Sequence, residues 1–306
     1  MMVIHDTARI FVYFFVMACF YIRNEARMFT ENKIIVMYSS AGYKNKPNFL
    51  PPPEVAQIAK EIRKKILKMN FNAGQGHTGA DLSEADILAS IYFRLLRYST
   101  DNPSHPDRDR FILSKGHGVG GFYCTLAQAG LLDEALLDTY LQYDSRLPGH
   151  PVRQRTPFVE VNTGALGHGL AVGVGLALAA KKSARDYRVF VLTGDGELQE
   201  GSNWEAAMAA ARFKLDNLIW IVDRNRLQLA DYTKNIMPIE PLDQKMAAFG
   251  QAVHQVDGND VTAIIETIES LPQGDGLPKA IIANTIKGKG VSFIEGQPSW
   301  HHRIPT

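Results

Sequence analysis

Gly194-Asp195-Gly196, with 28 residues between it and Asn225, puts a carboxylate and an amide oxygen at the ends of two apolar segments. Oxygen ligands of this kind suit a hard cation such as Mg²⁺ or Ca²⁺. The glycine after the acid lets backbone amides approach a phosphate at the start of the next segment. Together the residues could hold an ion that neutralises and orients a diphosphate. Gly-Asp-Gly alone also describes many structural turns, so the reading depends on where Asn225 stands. A second pattern is independent of the first. Four of the nine histidines, His77, His117, His150 and His168, directly follow a glycine, and 25 glycines in 306 residues would give fewer than one such pair by chance. A Gly-His pair suits a loop that bends tightly and presents an imidazole into a cleft. Several together describe a polar substrate pocket, where imidazoles titrating near neutrality can move protons.

The elements around these residues must bring them together. Val189 to Leu192 reads as a buried strand, Glu200 to Phe213 as a helix, and Leu218 to Val222 as the next strand. Strand, crossover helix and strand make a parallel unit, with ligands beyond the strands' carboxyl ends. Neighbouring strands lie roughly 5 Å apart, so Asp195 and Asn225 could grip one ion. Val55, Ile58, Ala59, Ile62, Ile66 and Met69 predict an amphipathic helix that stops at Ala73 to His77. A second helix is expected from about Ser83 to Arg97, with Asp81 and Ser83 as caps. Phe111 to Leu113 is a short strand, and helices follow near 117–129, 133–143 and 167–182. Val261 to Leu271 gives a further helix and Ala280 to Ala283 a further strand. The fold class is α/β, one doubly wound, mainly parallel sheet flanked by helices over residues 54–306. Residues 1–53, ending in Pro51-Pro52-Pro53, read as tail and linker outside that fold.

The Asp195–Asn225 unit resembles the thiamine-diphosphate-binding motif, and its surroundings are similar to those of transketolases. The likeness runs through Gly76-His77-Thr78-Gly79, Ser114-Lys115-Gly116-His117-Gly118, Pro148-Gly149-His150-Pro151 and Thr163 to Gly169. It continues through Glu197 to Gly201 and Asp223 to Leu227, in the family's order, over about residues 54–306. The resemblance implies the diphosphate-binding domain of that fold, with thiamine diphosphate and Mg²⁺ (or Ca²⁺) as cofactors. It implies that Asp195, Asn225 and the backbone carbonyl of Leu227 hold the metal. Gly196, His117 and His301 would contact the diphosphate, and Gly164 and Leu166 the cofactor's rings. His77, His150 and His301 would face the sugar, moving protons and stabilising oxyanion charge. Glu200 resembles the family's buried acid that links paired active sites across a subunit interface.

Some positions carry plainer readings. His168 stands where many transketolases have Gln and reads as a loop residue. His302 stands where Gly is expected, so either His301 or His302 could face the cofactor; Trp300-His301 matches the family's register. His105 and His254 read as structural or surface residues, and the lysines of Asn284 to Gly290 as solvated.

The implied reaction transfers a two-carbon ketol unit from a ketose, usually phosphorylated, to an aldose. The glutamate that activates the cofactor lies in this superfamily on a second, pyrimidine-binding domain, and no glutamate here sits in a matching context. A separate C-terminal subunit carrying that domain is therefore expected, in an α₂β₂ heterotetramer, with truncation of a longer chain as the other explanation. Three rival assignments exist: the α subunit of a 2-oxo-acid dehydrogenase, deoxyxylulose-phosphate synthase, and a non-catalytic homologue. The histidine loops favour a polyol substrate.

Composition fits a globular enzyme. Thirty-three basic residues against 32 acidic leave a net charge of +1, and no Lys/Arg block points to nucleic acid. Cys19 and Cys124 fit no CxxC pattern, so a reducing, cytoplasmic setting is the expectation. Ile10 to Ile22 is a thirteen-residue apolar run flanked by Arg9 and Arg23. It falls short of the roughly 20 residues that a membrane span needs. Its length suits a signal-peptide core, and Val16 to Cys19 loosely matches a lipoprotein site. A start at Met28 or Met37 is the favoured explanation, with no membrane role.

Overall fold

In the computed structural model, which describes residues 49–229 and 231–306, the first helix, α1, spans Pro52–Ala73. It buries Val55, Ala59, Ile62, Ile66 and Met69, the apolar stripe expected from their spacing. The proline run opens this helix, where the sequence alone suggests the end of a linker. Proline's fixed φ is pre-organised for a first turn, where its missing N–H is not needed. Leu50 already donates its N–H to Phe93 O at 3.0 Å. The apolar run at 10–22 lies outside the described residues.

Two short helices follow, α2 (Thr78–Ser83) and α3 (Ala85–Ser90), and a π-helical turn covers Ile91–Leu95. This helical stretch starts five residues before Ser83, with Asp81 and Ser83 inside α2 and not at a cap. Both side chains have found tertiary partners. Asn70 Nδ2 and the Gly121 N–H donate to the Asp81 carboxylate at 2.9 and 3.1 Å, and Ser83 Oγ donates to Asp223 Oδ2 at 2.6 Å.

Strand β1 (Arg110–Leu113) leads to α4 (Val119–Gln128). The helix expected near 133–143 is a 3-10 turn over Glu134–Thr139. Then come α5 (His168–Lys182), β2 (Val189–Gly194), α6 (Gly201–Arg212) and β3 (Leu218–Arg224). The remainder is α7 (Thr233–Ile236), α8 (Leu242–Ala248), β4 (Ala252–Asp257), α9 (Val261–Glu269) and β5 (Lys279–Asn284). The five strands lie in the order β1-β2-β3-β5-β4, and every pairing is parallel.

Period-two alternation feeds two cores, one on each face of the sheet. Phe190, Leu192, Ile219, Ile221 and Ile281 point to the face covered by α1, α3, α4 and α9. Val189, Val191, Trp220, Val222 and Ile282 point to the face covered by α5, α6 and α8. Because all strands run the same way, every strand-end loop opens at one edge of the sheet. The other end is tied down at Asp109, which is fully buried just before β1. Its carboxylate accepts from the guanidinium of Arg97 at 2.9 Å and from that of Arg188 at 2.8 Å. It also accepts from both of their backbone N–H groups. Asp109→Ala leaves two arginines beside a buried gap and should cost about 3–5 kcal/mol. Urea denaturation would reveal this as a lower midpoint with an unchanged slope.

Candidate active site

The carboxyl ends of β1, β2, β3 and β5 lead into four loops that wall a cleft of about 400 Å³. From the β1 end come Lys115 and His117. The β2 end contributes Asp195, Gly196 and Glu200, and the β3 end Asn225 and Leu227. Lys287, His301 and His302 follow β5, and His150, Gly164 and Leu166 close another wall. Of the residues given a catalytic, cofactor or metal role from the sequence, His77 alone is absent from this lining. It stands behind the histidines, with ring centroids 5.5 Å from His117, 5.7 Å from His301 and 4.2 Å from His302.

Asp195 extends the strand pairing by one residue, donating its N–H to Asp223 O at 3.2 Å. Its carboxylate accepts from its neighbour Gly196 N–H at 2.8 Å and from Arg226 N–H at 2.6 Å. The second bond stitches the loop after β2 to the loop after β3. Asn225 is buried, and its side-chain oxygen accepts from Leu227 N–H at 3.1 Å. A tight turn results, with Arg226 in the left-handed region at φ 64°. Burial first, and then the nearby Asp223 carboxylate, push Asp195 up to about 7. A carboxyl in that condition gains from a cation, and carboxylate, amide and carbonyl oxygens are a hard-cation donor set. The residues therefore fit such an ion.

The opposite wall fits a flat, closely approaching group. Gly164 has φ +135°, and a Cβ there would meet the His150 ring at 3.0 Å. The loop needs glycine both for its conformation and for the imidazole beside it. Leu166 is 37% exposed, an apolar surface offered to whatever enters.

Three charged residues receive no role from the sequence. Lys115 is 1% exposed beneath the cleft, with Nζ 2.6 Å from Asp223 Oδ2 and 3.0 Å from Glu84 Oε2. Burial works against its charge, but the two carboxylates outweigh that and raise it above the ordinary lysine value. Glu197 accepts from Ser114 Oγ, from Gly167 N–H at 2.9 Å and from Gly194 N–H at 3.1 Å. It thereby locks the ends of β1 and β2 to the start of α5. Lys287, expected to be solvated, is buried; its Nζ lies 3.3 Å from Leu227 O and 2.7 Å from His301 Nδ1. Burial first, then Lys115, lower it to about 8. Its spacing in sequence resembles any exposed loop lysine; only the fold of the loop after β5 turns it inward.

Glu200, likened to an acid that is buried across a subunit interface, lies exposed at the cleft rim of the single chain. His168 is exposed at the first position of α5 and does not line the cleft. The imidazoles also differ from a near-neutral titration. Burial lowers His77 to about 4 and His301 to about 2, with neighbouring positive charge adding to the effect, and it depresses His117 and His150. At pH 7 they are neutral rings, each with one N–H to donate and one nitrogen to accept.

Comparison with known proteins accords with this geometry. The family model described as transketolase, thiamine diphosphate binding domain, matches residues 55–303. One subunit of the apulose-4-phosphate transketolase of Actinobacillus succinogenes is 56% identical over 260 residues, which cover 85% of this chain and 94% of that protein. The protein of the same name from Phocaeicola vulgatus is 46% identical over 244 residues, 80% of this chain and 86% of its own. The solved transketolase from Leishmania mexicana superposes with a TM-score of 0.78 at 33% identity, over 81% of this chain and 39% of that one. This chain thus spans about two-fifths of the length of that solved transketolase. The chain belongs to the transketolase family and comprises its thiamine-diphosphate-binding domain. The family match sets aside the 2-oxo-acid dehydrogenase and deoxyxylulose-phosphate synthase assignments.

Lys287 gives the site a pH signature. Below about 8 its ammonium meets an incoming diphosphate as a cation; above that the charge is gone and binding must import a proton. At saturating metal, affinity for thiamine diphosphate should therefore fall toward alkaline pH as Lys287 loses its proton. Lys287→Met should weaken binding about tenfold or more, the worth of one charge-assisted contact, and flatten that limb. Fluorescence titration of the assembled enzyme across this range checks both; a flat wild-type profile would remove Lys287 from the diphosphate.

Proposed function

We propose that this chain is the diphosphate-binding half of a two-subunit, cytoplasmic transketolase. It would transfer a two-carbon ketol unit from a phosphorylated ketose to an aldose. The observation that carries the reading is the meeting of Asp195, Asn225 and Leu227 with His117, His150 and His301 in one cleft. The names of its relatives make apulose 4-phosphate the first donor to test. The partner would carry the pyrimidine-binding domain and the activating glutamate, in an α₂β₂ assembly. Exposed Glu200 and Leu166 on the rim support a second chain closing over the site.

Asp195, the Asn225 amide and the Leu227 carbonyl would hold Mg²⁺ or Ca²⁺. Their loops are already joined by the Arg226 N–H bond to Asp195. Gly196, His117, His301 and Lys287 would meet the diphosphate. Gly164 and Leu166 would support the rings. When bound, thiamine diphosphate supplies the nucleophilic carbon that the chain's own side chains lack. His77 and His150 would donate N–H groups to the sugar's carbonyl and hydroxyl oxygens. Neutral imidazoles stabilise negative charge as it develops there without adding a fixed cation. His301, with Nδ1 engaged by Lys287, keeps Nε2 for the ligand.

Two substitutions separate the parts. Asp195→Ala should abolish metal-dependent cofactor binding in calorimetry of the two subunits together; undiminished affinity would remove the metal assignment. His150→Ala should lower kcat by roughly 10²–10⁴-fold while cofactor affinity stays within about a factor of two of wild type. Steady-state assays with a panel of ketose phosphates would read this. Full activity in His150→Ala would end its sugar-facing role.

A further inference from the structure

Three imidazoles lie together at one side of the cleft, His301 and His302 on its lining and His77 behind them. His77, His301 and His302 each offer one ring nitrogen, and these atoms all fall within 4.8 Å of one another. The rings come from two separate segments, the loop before α2 and the turn after Trp300, with centroids 4.2 Å apart for His77–His302 and 5.0 Å for His301–His302. We propose that these histidines form a binding site for a borderline divalent cation of the Zn²⁺ type, distinct from the oxygen-lined position at Asp195 and Asn225.

The ligand chemistry sorts the two sites. Imidazole nitrogen favours Zn²⁺, Ni²⁺ and Cu²⁺, whereas Mg²⁺ and Ca²⁺ take oxygen. A tetrahedral ion holds nitrogen ligands at about 2.0–2.1 Å, which sets them roughly 3.4 Å apart. Closing from the present separations takes small side-chain rotations, and exposed His302 is free to make them. Access is open, because His301 and His302 also line an outer cleft of about 500 Å³ with Gln297 and Ser299. Lys287 Nζ lies against His301 Nδ1, so Nε2 is that ring's nitrogen for the ion, in the tautomer whose Nδ1–H donates to Lys287 as the neutral amine. Zinc binding therefore displaces the proton of Lys287, a cost that coordination by the three rings must offset. Three protein ligands leave a fourth position for water or a ligand oxygen. An ion seated there takes His77 and His301 away from any sugar. That inhibitory consequence rests on the proposed ketol transfer; the binding does not.

The test titrates the metal-stripped full chain with ZnCl₂ against a chromophoric chelator, in excess MgCl₂. One Zn²⁺ per chain is expected. His302→Ala should weaken it about tenfold or more, while His168→Ala, at an exposed histidine outside the cluster, leaves it unchanged. Asp195→Ala should retain the zinc site, and thermal melting verifies that each variant is folded. Equal zinc affinity in His302→Ala, or loss of zinc with Asp195→Ala or excess Mg²⁺, would overturn the proposal.

Discussion

A lysine buried beneath the cleft holds the arrangement together. Lys115 follows β1, Asp223 stands near the end of β3, and Glu84 lies between α2 and α3. The ammonium joins all three within 3.0 Å. A cation with 1% exposure is tolerable only when paired and hydrogen-bonded. The remaining capacity of Asp223 is filled by Ser83 and Thr285, the latter just past β5. The cluster therefore fastens the segments that lead to His77, His117, Asn225 and Lys287. Those loops have few other reasons to meet. Replacing the cluster with apolar residues could preserve packing, but it would remove the directional bonds that set their register.

Charge balance around the cleft follows from this cluster. Burial works to raise Asp223, yet Lys115 and its hydrogen bonds outweigh that and hold it below the ordinary carboxylate range. The ionised Asp223 in turn helps push Asp195 up. Two carboxyl groups thus differ by environment. One is committed to the internal lysine, and the other is left wanting a cation. Lys287 completes the asymmetry, a second buried ammonium whose hydrogen bonds go to the Leu227 carbonyl and the His301 ring. The acidic position and the basic position lie on one cleft, which is what a metal and the anion it accompanies require together.

Much of this is legible in the sequence wherever local chemistry decides structure. The apolar strands, the crossover helix α6 and the residues at strand ends follow from periodicity and turn residues, and the Gly-His pairs announce a convergence of rings. The misses have a common cause. Asp81 and Ser83 read as caps because their local geometry allows it, but buried partners 40 and 140 residues away claim their oxygens. Lys287 reads as solvated because loop lysines usually are. Strand β4 is hidden because His254 and Gln255 interrupt a short apolar run, and its partly exposed place at the sheet edge permits that. Tertiary partners, absent from any sequence window, decide each case.

The neutral histidines make sense only in a dehydrated site. A ring depressed to about 4 or about 2 is uncharged at pH 7, and in water its neutral N–H would compete poorly with charged donors. Behind a closed wall, the same N–H would be a fixed dipole able to stabilise a developing oxyanion, and low dielectric would magnify it. In the isolated chain that wall is incomplete. His150, Gly164, Leu166 and Glu200 are all exposed along one side of the cleft. A partner closing there would bury the apolar Leu166 and strengthen every polar contact inside. Assembly and catalytic competence would then be one event, because a partner docking there would also exclude water from the cleft.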